Sequence, residues 1–503
     1  MPFEPVFETI NYTCGKKTLT EQIKVECRTA VKQEDLLSVL NVSAFATVTK
    51  GQADENKFNY GGKVVFYTSY ISADGAPAKC ECGSEFKGDI KDEILSLNSK
   101  TTVSAVVDKA YAEYSGAYLT VIAYVTIRVK VSDCKEVNAL SGGSNLVINE
   151  SELKYPKSYG VKRASYPVEE EFQVGYAVEE VLSHRAQAVI TAVQCGVGCI
   201  IVDGEVLLSA IMLQSSQRNG IIKESKTFPF RVEIECEDAM PNMQAAASVK
   251  ERSFKIDVAV DKENAVSVIT ASVILDLEGE AFYTNVVTLA TDAFSTEQEV
   301  EIVKEKVKHT NLGKLSTCSV TVSGRAITPE LSVGASVLAV GGERVEIVKV
   351  DCANDCTTIS GVISATAYLR DGDEKIFTVN LETPFESAVS CEFLCEDVSD
   401  ICARAYNGRA KIVSLTETDL EVDISFTVYP EEKTELEVIG KIKPIGEKVK
   451  PTAALSVYIA TAGEDMWSLA KRLSVSPETL AQTNSDLTFP LTGDERIVIY
   501  RQK

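Results

Sequence analysis

The sequence predicts a mainly β protein: three tandem β-sandwich or barrel-like repeats followed by one small strand–helix–helix–strand unit. Three observations carry this. Runs of alternating apolar and polar residues recur at three distant places in the 503-residue chain. A block running from a glycine to a phenylalanine precedes each run. Residues 455–503 then switch to helix-start signals between two short strands.

In the first repeat, Leu119, Val121, Ala123, Val125, Ile127, Val129 and Val131 alternate with Thr120, Ile122, Tyr124, Thr126, Arg128 and Lys130. A period of two is that of a strand with one buried face. Residues 265–277 give a more apolar version. Leu420, Val422, Ile424, Phe426 and Val428 alternate with Glu421, Asp423, Ser425, Thr427 and Tyr429 as the third. Ahead of these strands, Gly62-Lys63-Val64-Val65-Phe66-Tyr67 leads through Asp74-Gly75 to Phe86. Gly204-Glu205-Val206-Leu207-Leu208 leads through Asn219-Gly220 to Pro229-Phe230, and Gly361-Val362-Ile363-Ser364-Ala365 through Asp371-Gly372 to Pro384-Phe385. The Gly-to-Phe spacings are 24, 26 and 24 residues. Asn-Gly and Asp-Gly supply the positive φ angles of tight hairpin turns, so each repeat centres on a hairpin. Self-similarity at this spacing places three domains at residues 1–146, 147–297 and 298–440. Residues 139–149, with Ser141-Gly142-Gly143-Ser144, separate the first two. Residues 441–454, around Lys443-Pro444-Ile445-Gly446, read as a linker that leaves the terminal unit free to search for a partner.

The terminal unit, residues 455–503, opens with the strand Val457-Tyr458-Ile459-Ala460 and a turn at Gly463. Asp465 is placed to cap a first helix, with Trp467, Leu469, Ala470 and Leu473 on or near one apolar face. Ser476 caps a second helix whose first residue is Pro477, with Leu480 pointing inward. Arg496-Ile497-Val498-Ile499-Tyr500 is the closing strand.

Composition narrows the function classes. The chain is 45% apolar and 25% charged, as folded proteins are. A net charge of -22 argues against a nucleic-acid or anionic-membrane surface, both of which need a cationic footprint. No apolar run reaches about 18 residues, so no membrane insertion is expected. Met1-Pro2-Phe3-Glu4-Pro5 lacks the basic flank and apolar core of an export signal, so a cytoplasmic location is expected.

Catalytic constellations are not legible. The two histidines, His184 and His309, stand in unrelated contexts, and Glu169-Glu170-Glu171 reads as a solvated face. Gly196-Val197-Gly198 is a strand or turn feature, not a nucleotide fingerprint. No enzyme activity and no cofactor are expected. Of the fourteen cysteines, three pairs share one spacing: Cys195/Cys199, Cys352/Cys356 and Cys391/Cys395. On one strand such residues lie about 13 Å apart, too far to share a metal. A turn at Ala353-Asn354-Asp355 could bring Cys352 and Cys356 together, with Cys391 and Cys395 completing a site; unligated thiols are the preferred reading.

The order of signals over residues 457–500 resembles a LysM module, a βααβ unit that usually binds N-acetylglucosamine polymers. With the triple hairpin pattern ahead of it, the whole chain resembles SipL-type spore proteins, in which several SPOCS domains precede a C-terminal LysM module. The first repeat departs in having Glu85-Phe86 where Pro-Phe is expected. The resemblance implies a groove between Thr461, Ala462, Gly463, Glu464, Asp465 and Met466 on one side and Leu487, Thr488, Phe489, Pro490 and Leu491 on the other. It implies Trp467, Leu469, Leu473 and Leu480 as the module's core. Gly463-Glu464-Asp465 stands where Gly-Asp-Thr is usual, adding a carboxylate at the groove, and Tyr500 stands where Ile-Pro is common.

Functionally, the resemblance implies a non-catalytic scaffold or adaptor in endospore envelope assembly, in the mother cell at the forespore surface or spore coat. Its LysM module would dock onto the coat morphogenetic ATPase (stage IV sporulation protein A-like). The alternative is a peptidoglycan-binding protein of the wall or spore cortex. Self-association of the β repeats is a third reading.

Overall fold

In the computed structural model the described residues are 3–97, 99–115, 117–215, 220–261, 263, 265–353, 356–389, 401–449 and 455–500. The chain is mainly β. Repeat one comprises β1 (Glu4–Lys32), β2 (Leu36–Asp54), β3 (Lys57–Ser72), β4 (Pro77–Lys91), β5 (Lys100–Ser115) and β6 (Tyr118–Ser144). Repeat two comprises β7 (Val147–Val174), β8 (Val178–Cys195), β9 (Cys199–Gln214), β10 (Ile221–Glu235), β11 (Gln244–Asp261) and β12 (Val266–Phe294). Repeat three runs through β13 (Gln298–Leu312), β14 (Ser316–Ile327), β15 (Ser336–Ala353), β16 (Cys356–Arg370), β17 (Ile376–Val389), β18 (Cys402–Ser414), β19 (Glu417–Val428) and β20 (Glu431–Glu447). The terminal unit is β21 (Leu455–Ala460), α1 (Met466–Leu473), α2 (Pro477–Thr483) and β22 (Glu495–Tyr500).

Each repeat packs two antiparallel three-stranded sheets face to face. The orders are β1-β6-β5 over β2-β3-β4, β7-β12-β11 over β8-β9-β10, and β14-β19-β18 over β15-β16-β17. The long alternating run is the middle strand of its sheet in every repeat. Its alternation drives that position, because one face meets the opposing sheet. In repeat one Val121, Val125, Ile127 and Val129 bury against Phe58, Tyr60, Val64 and Phe66. In repeat three Leu420, Val422, Ile424 and Phe426 do so against Ile359, Ile363, Ala365 and Ala367.

The Gly-to-Phe block has a structural cause. Gly62, Gly204 and Gly361 pair directly across the hairpin with Phe86, Phe230 and Phe385. On their other side the neighbouring strand carries a bulge, between Val48 and Lys50, Ile190 and Ala192, and Ile347 and Lys349. A Cβ on any of these glycines would sit well inside contact with the carbonyl oxygen of Thr47, Val189 or Glu346. The bulge bends the strand inward, and the phenylalanine ring covers the space that the missing side chain leaves. Glu85 in place of proline leaves this pairing intact. Of the three hairpin turns, Gly75 has φ +83°, whereas Asn219 lies outside the described residues.

The outermost strands outrun their sandwiches. Residues 4–16 of β1 pair with residues 132–144 of β6 as a two-stranded ribbon, and the ends of β7 and β12 do the same. In repeat three the long strands break at residues 313–315 and at Pro430, where the Gly313 N–H donates to the Pro430 carbonyl at 2.7 Å. Beyond the break β13 and β20 continue the ribbon. The three ribbons pack on one another: Ile10 and Val137 from the first, Leu153, Val287 and Leu289 from the second, Val307 and Val438 from the third. A further layer joins Phe3 and Leu140 to Ala290, Ala293, Ile439 and Ile442.

The expected linkers are corrected where they are described, residues 450–454 lying outside the described residues. Residues 441–447 belong to β20, with Lys443 opposite Glu301 and Pro444 opposite Val300. Ser141, Gly142, Gly143 and Ser144 belong to β6. Proline and glycine signalled a break, but a ribbon strand has a free edge on which a missing N–H costs no ladder bond.

The sandwiches also meet one another. Asn41, Ser183 and Ala339 each follow a bulge and pair with Ser69, Ile211 and Tyr368, so corresponding positions of the three repeats converge. Leu40, Leu182, Ile211, Leu213, Tyr368 and Ile376 form a shared core there. Lys223 of repeat two pairs with the 1%-exposed Glu343 of repeat three, whose carboxylate also accepts the Gly408 N–H at 2.9 Å. His184 sits edge-on between Tyr67 of repeat one and Phe254 of its own repeat, at 4.8 and 5.1 Å between ring centroids.

Candidate functional site

The terminal unit is the best candidate, built as follows. β21 and β22 pair antiparallel from Leu455 opposite Tyr500 to Ala460 opposite Glu495. α1 and α2 cover one face of this pair. Asp465 caps α1, accepting the Ser468 N–H at 2.8 Å, and these bonds, the largest cause, hold its carboxyl below the usual range. Ser476 caps α2 by accepting the Thr479 N–H at 3.2 Å. Leu469, Leu473 and Leu480 are buried, with Ala470, Val475, Ile497 and Ile499 around them. Asn484, 4% exposed, ties the end of α2 to β22: its amide donates to the carbonyls of Leu480 and Val498 at 2.9 and 2.8 Å, and its oxygen accepts the Val498 N–H at 2.7 Å.

The two expected groove segments do come together. The Gly463 N–H donates to the Leu491 carbonyl at 2.7 Å, and the Leu491 N–H to the Glu464 carbonyl at 3.1 Å. Gly463 turns at φ +87°. Thr461, Ala462, Gly463, Asp465, Thr488 and Pro490 are exposed. Leu491 is not available to a ligand: it is 4% exposed and belongs to the core, and Met466, Leu487 and Phe489 pack on that core. The added carboxylate of Glu464 is not bare, since Arg472 pairs with it at 2.6 Å and the Thr461 N–H donates to it at 2.8 Å. Helical spacing alone did not advertise that partner, because Arg472 reaches back over the capped turn.

Trp467 lies at the rim of this core, half-buried, and looks outward onto the second ribbon. Its indole N–H donates to Asp292 Oδ2 at 2.8 Å, and Lys471 Nζ donates to both oxygens of Asp292 at 2.6 and 2.7 Å. The Phe294 ring meets the indole edge-on at 5.3 Å. Lys448 Nζ donates to the Ser295 carbonyl and the Ser474 hydroxyl, each at 2.9 Å. Burial alone would push the Asp292 carboxyl up, but the bonds from Lys471 and Trp467 outweigh it and hold it below the usual range. The expected independent search by a tethered unit is therefore corrected: α1 is held against the end of β12.

Elsewhere the described residues offer less. Among them no group of three or more His, Cys, Asp or Glu side chains could hold a metal ion. Cys195 and Cys199 flank the turn between β8 and β9 rather than sharing a strand. The side chains of Cys352 and Cys356, and the whole of Cys391 and Cys395, lie outside the described residues, as does the His309 side chain. Burial, with Lys79 adding to it, depresses the His184 imidazole to about 4. Glu169, Glu170 and Glu171 are exposed on β7. Two open clefts of about 370 and 360 Å³, beside Phe7 and Ile442 and beside Gly204 and Phe230, contain no histidine or cysteine. No helix among the described residues is long and apolar enough to cross a membrane. No protein-family model, curated protein or solved structure matches the chain.

Proposed function

We propose that the chain is a non-catalytic adaptor of the SipL type, three SPOCS-like repeats carrying a LysM-like unit that docks a protein partner. The observation that carries this reading is the contact made by Trp467 and Lys471. The helix face of the terminal unit already grips a carboxylate and an aromatic ring of a polypeptide, which is protein-docking chemistry. The three ribbon-joined repeats supply a broad body on which such a unit is presented at a fixed place. On the SipL resemblance, the partner is the coat morphogenetic ATPase, stage IV sporulation protein A-like, met in the mother-cell cytoplasm at the forespore surface.

A second reading, binding of peptidoglycan, is favoured by one observation: the exposed turn Thr461-Ala462-Gly463 and the facing Thr488 and Pro490 leave backbone groups and small side chains at the surface. The full-length protein, mixed separately with the purified ATPase and with purified peptidoglycan, separates the two. Retention by the ATPase at micromolar strength, with none on the glycan, is expected. Retention on glycan alone overturns the adaptor reading.

A further inference from the structure

The residues that hold the terminal unit to the second ribbon match one another in spacing as well as in chemistry. Trp467 and Lys471 are four apart on α1, so they stand one above the other on a single helix face. Asp292 and Phe294 are two apart at the end of β12, so both side chains leave the strand on one side. The aspartate satisfies the indole N–H and the ammonium together, while the phenylalanine sits edge-on to the indole. Lys448 adds its ammonium 5.8 Å from the Phe294 ring. Val147, opposite Phe294 on β7, packs on the same core, and the Glu297 carbonyl accepts the Lys448 N–H at 2.9 Å. The bonds to α1 itself, however, come from Asp292 and the ring contact from Phe294.

We propose that this face of α1 is a recognition surface for an extended acidic–aromatic segment, an aspartate two residues before a phenylalanine, and that Asp292 and Phe294 occupy it in cis. The partner class is a protein segment with the same pattern, which displaces the ribbon end and takes over its bonds to Trp467 and Lys471. The proposal rests on the protein-docking reading above and names the segment that docks.

Trp467 is the chain's one tryptophan, so its emission reports occupancy of this face directly. The test uses the full-length chain carrying Asp292→Ala and Phe294→Ala, and a synthetic peptide copying residues 288–297. The variant's emission is expected to shift to the red and to become more open to acrylamide quenching than the wild type. The peptide should reverse both changes saturably. A peptide with Asn in place of the aspartate should respond about tenfold more weakly, the size of losing one charge-assisted bond. The wild-type chain should respond more weakly than the variant, because its own Asp292 and Phe294 already occupy the face. Emission identical to wild type, no saturable response, or equal response to both peptides overturns the proposal.

If the double variant's circular dichroism departs from that of the wild type, Asp292→Asn replaces it, since it keeps the side chain's size and leaves Phe294 in place. A red shift that the aspartate peptide reverses saturably is again expected, and an unshifted spectrum or no saturable response overturns the proposal. Neither the coat ATPase nor glycan is needed, so failure of the adaptor reading shows separately, as absent ATPase capture beside an intact peptide response.

Discussion

Gly62, Gly204 and Gly361 show how single residues set the repeats. Each faces a bulge on one side and a phenylalanine on the other, and neither neighbour can move without disturbing the sandwich core. Gly361→Ala should therefore cost about 2–4 kcal/mol in urea unfolding, whereas Gly446→Ala, with open space around it, should cost well under 1 kcal/mol. His184 gives a pH dependence. Its folded value of about 4 lies below the ordinary 6.5, so the unfolded chain takes up the proton first. Stability is then full above pH 6.5 and falls as the pH drops from 6.5 towards 4, by up to about 3 kcal/mol. His184→Phe, which keeps a ring between Tyr67 and Phe254, should flatten that part of the profile; an unchanged slope would assign it to other groups. The glycine and phenylalanine positions were legible because a close approach demands one residue type. The environment of His184 was not, since both its neighbours arrive from elsewhere in the sequence.

The ribbons are the elements that the sequence concealed. Their strands carry Ser141-Gly142-Gly143-Ser144 and Pro444, which locally signal turns, and only pairing with a distant strand overrides that preference. The long alternating strands were legible because alternation needs no knowledge of the partner. In the terminal unit the caps at Asp465 and Ser476 were equally legible, as local hydrogen bonds between near neighbours. The groove was legible only in part: alternate apolar residues turned Leu491 inward, and Arg472 covered Glu464. Because Leu289 is fully buried among three ribbons, Leu289→Ala should cost about 2–5 kcal/mol. It should also speed proteolysis between repeats, read as new cleavage near residues 145–146 and 295–297. A loss of stability with no new cleavage there would mean that the ribbons do not couple the repeats.

At the scale of the whole molecule, the three repeats share two cores, one among the ribbons and one among the sandwiches, and the terminal unit rests on the end of the second ribbon. Asp292 is the joint. Its folded value is lowered, so its contribution is present above the ordinary carboxylate range and is lost only as the pH falls through the lower folded value. Acrylamide quenching of Trp467 should accordingly stay low from neutral pH down past about 4 and rise only below that. The most direct measurement is urea unfolding of the wild-type chain, followed in parallel by Trp467 emission and by far-ultraviolet circular dichroism. A terminal unit held to the ribbons predicts that the tryptophan red shift coincides with loss of the β signal. A tryptophan transition complete at lower urea, with the β signal intact, would mean a freely tethered unit and would contradict the docked arrangement.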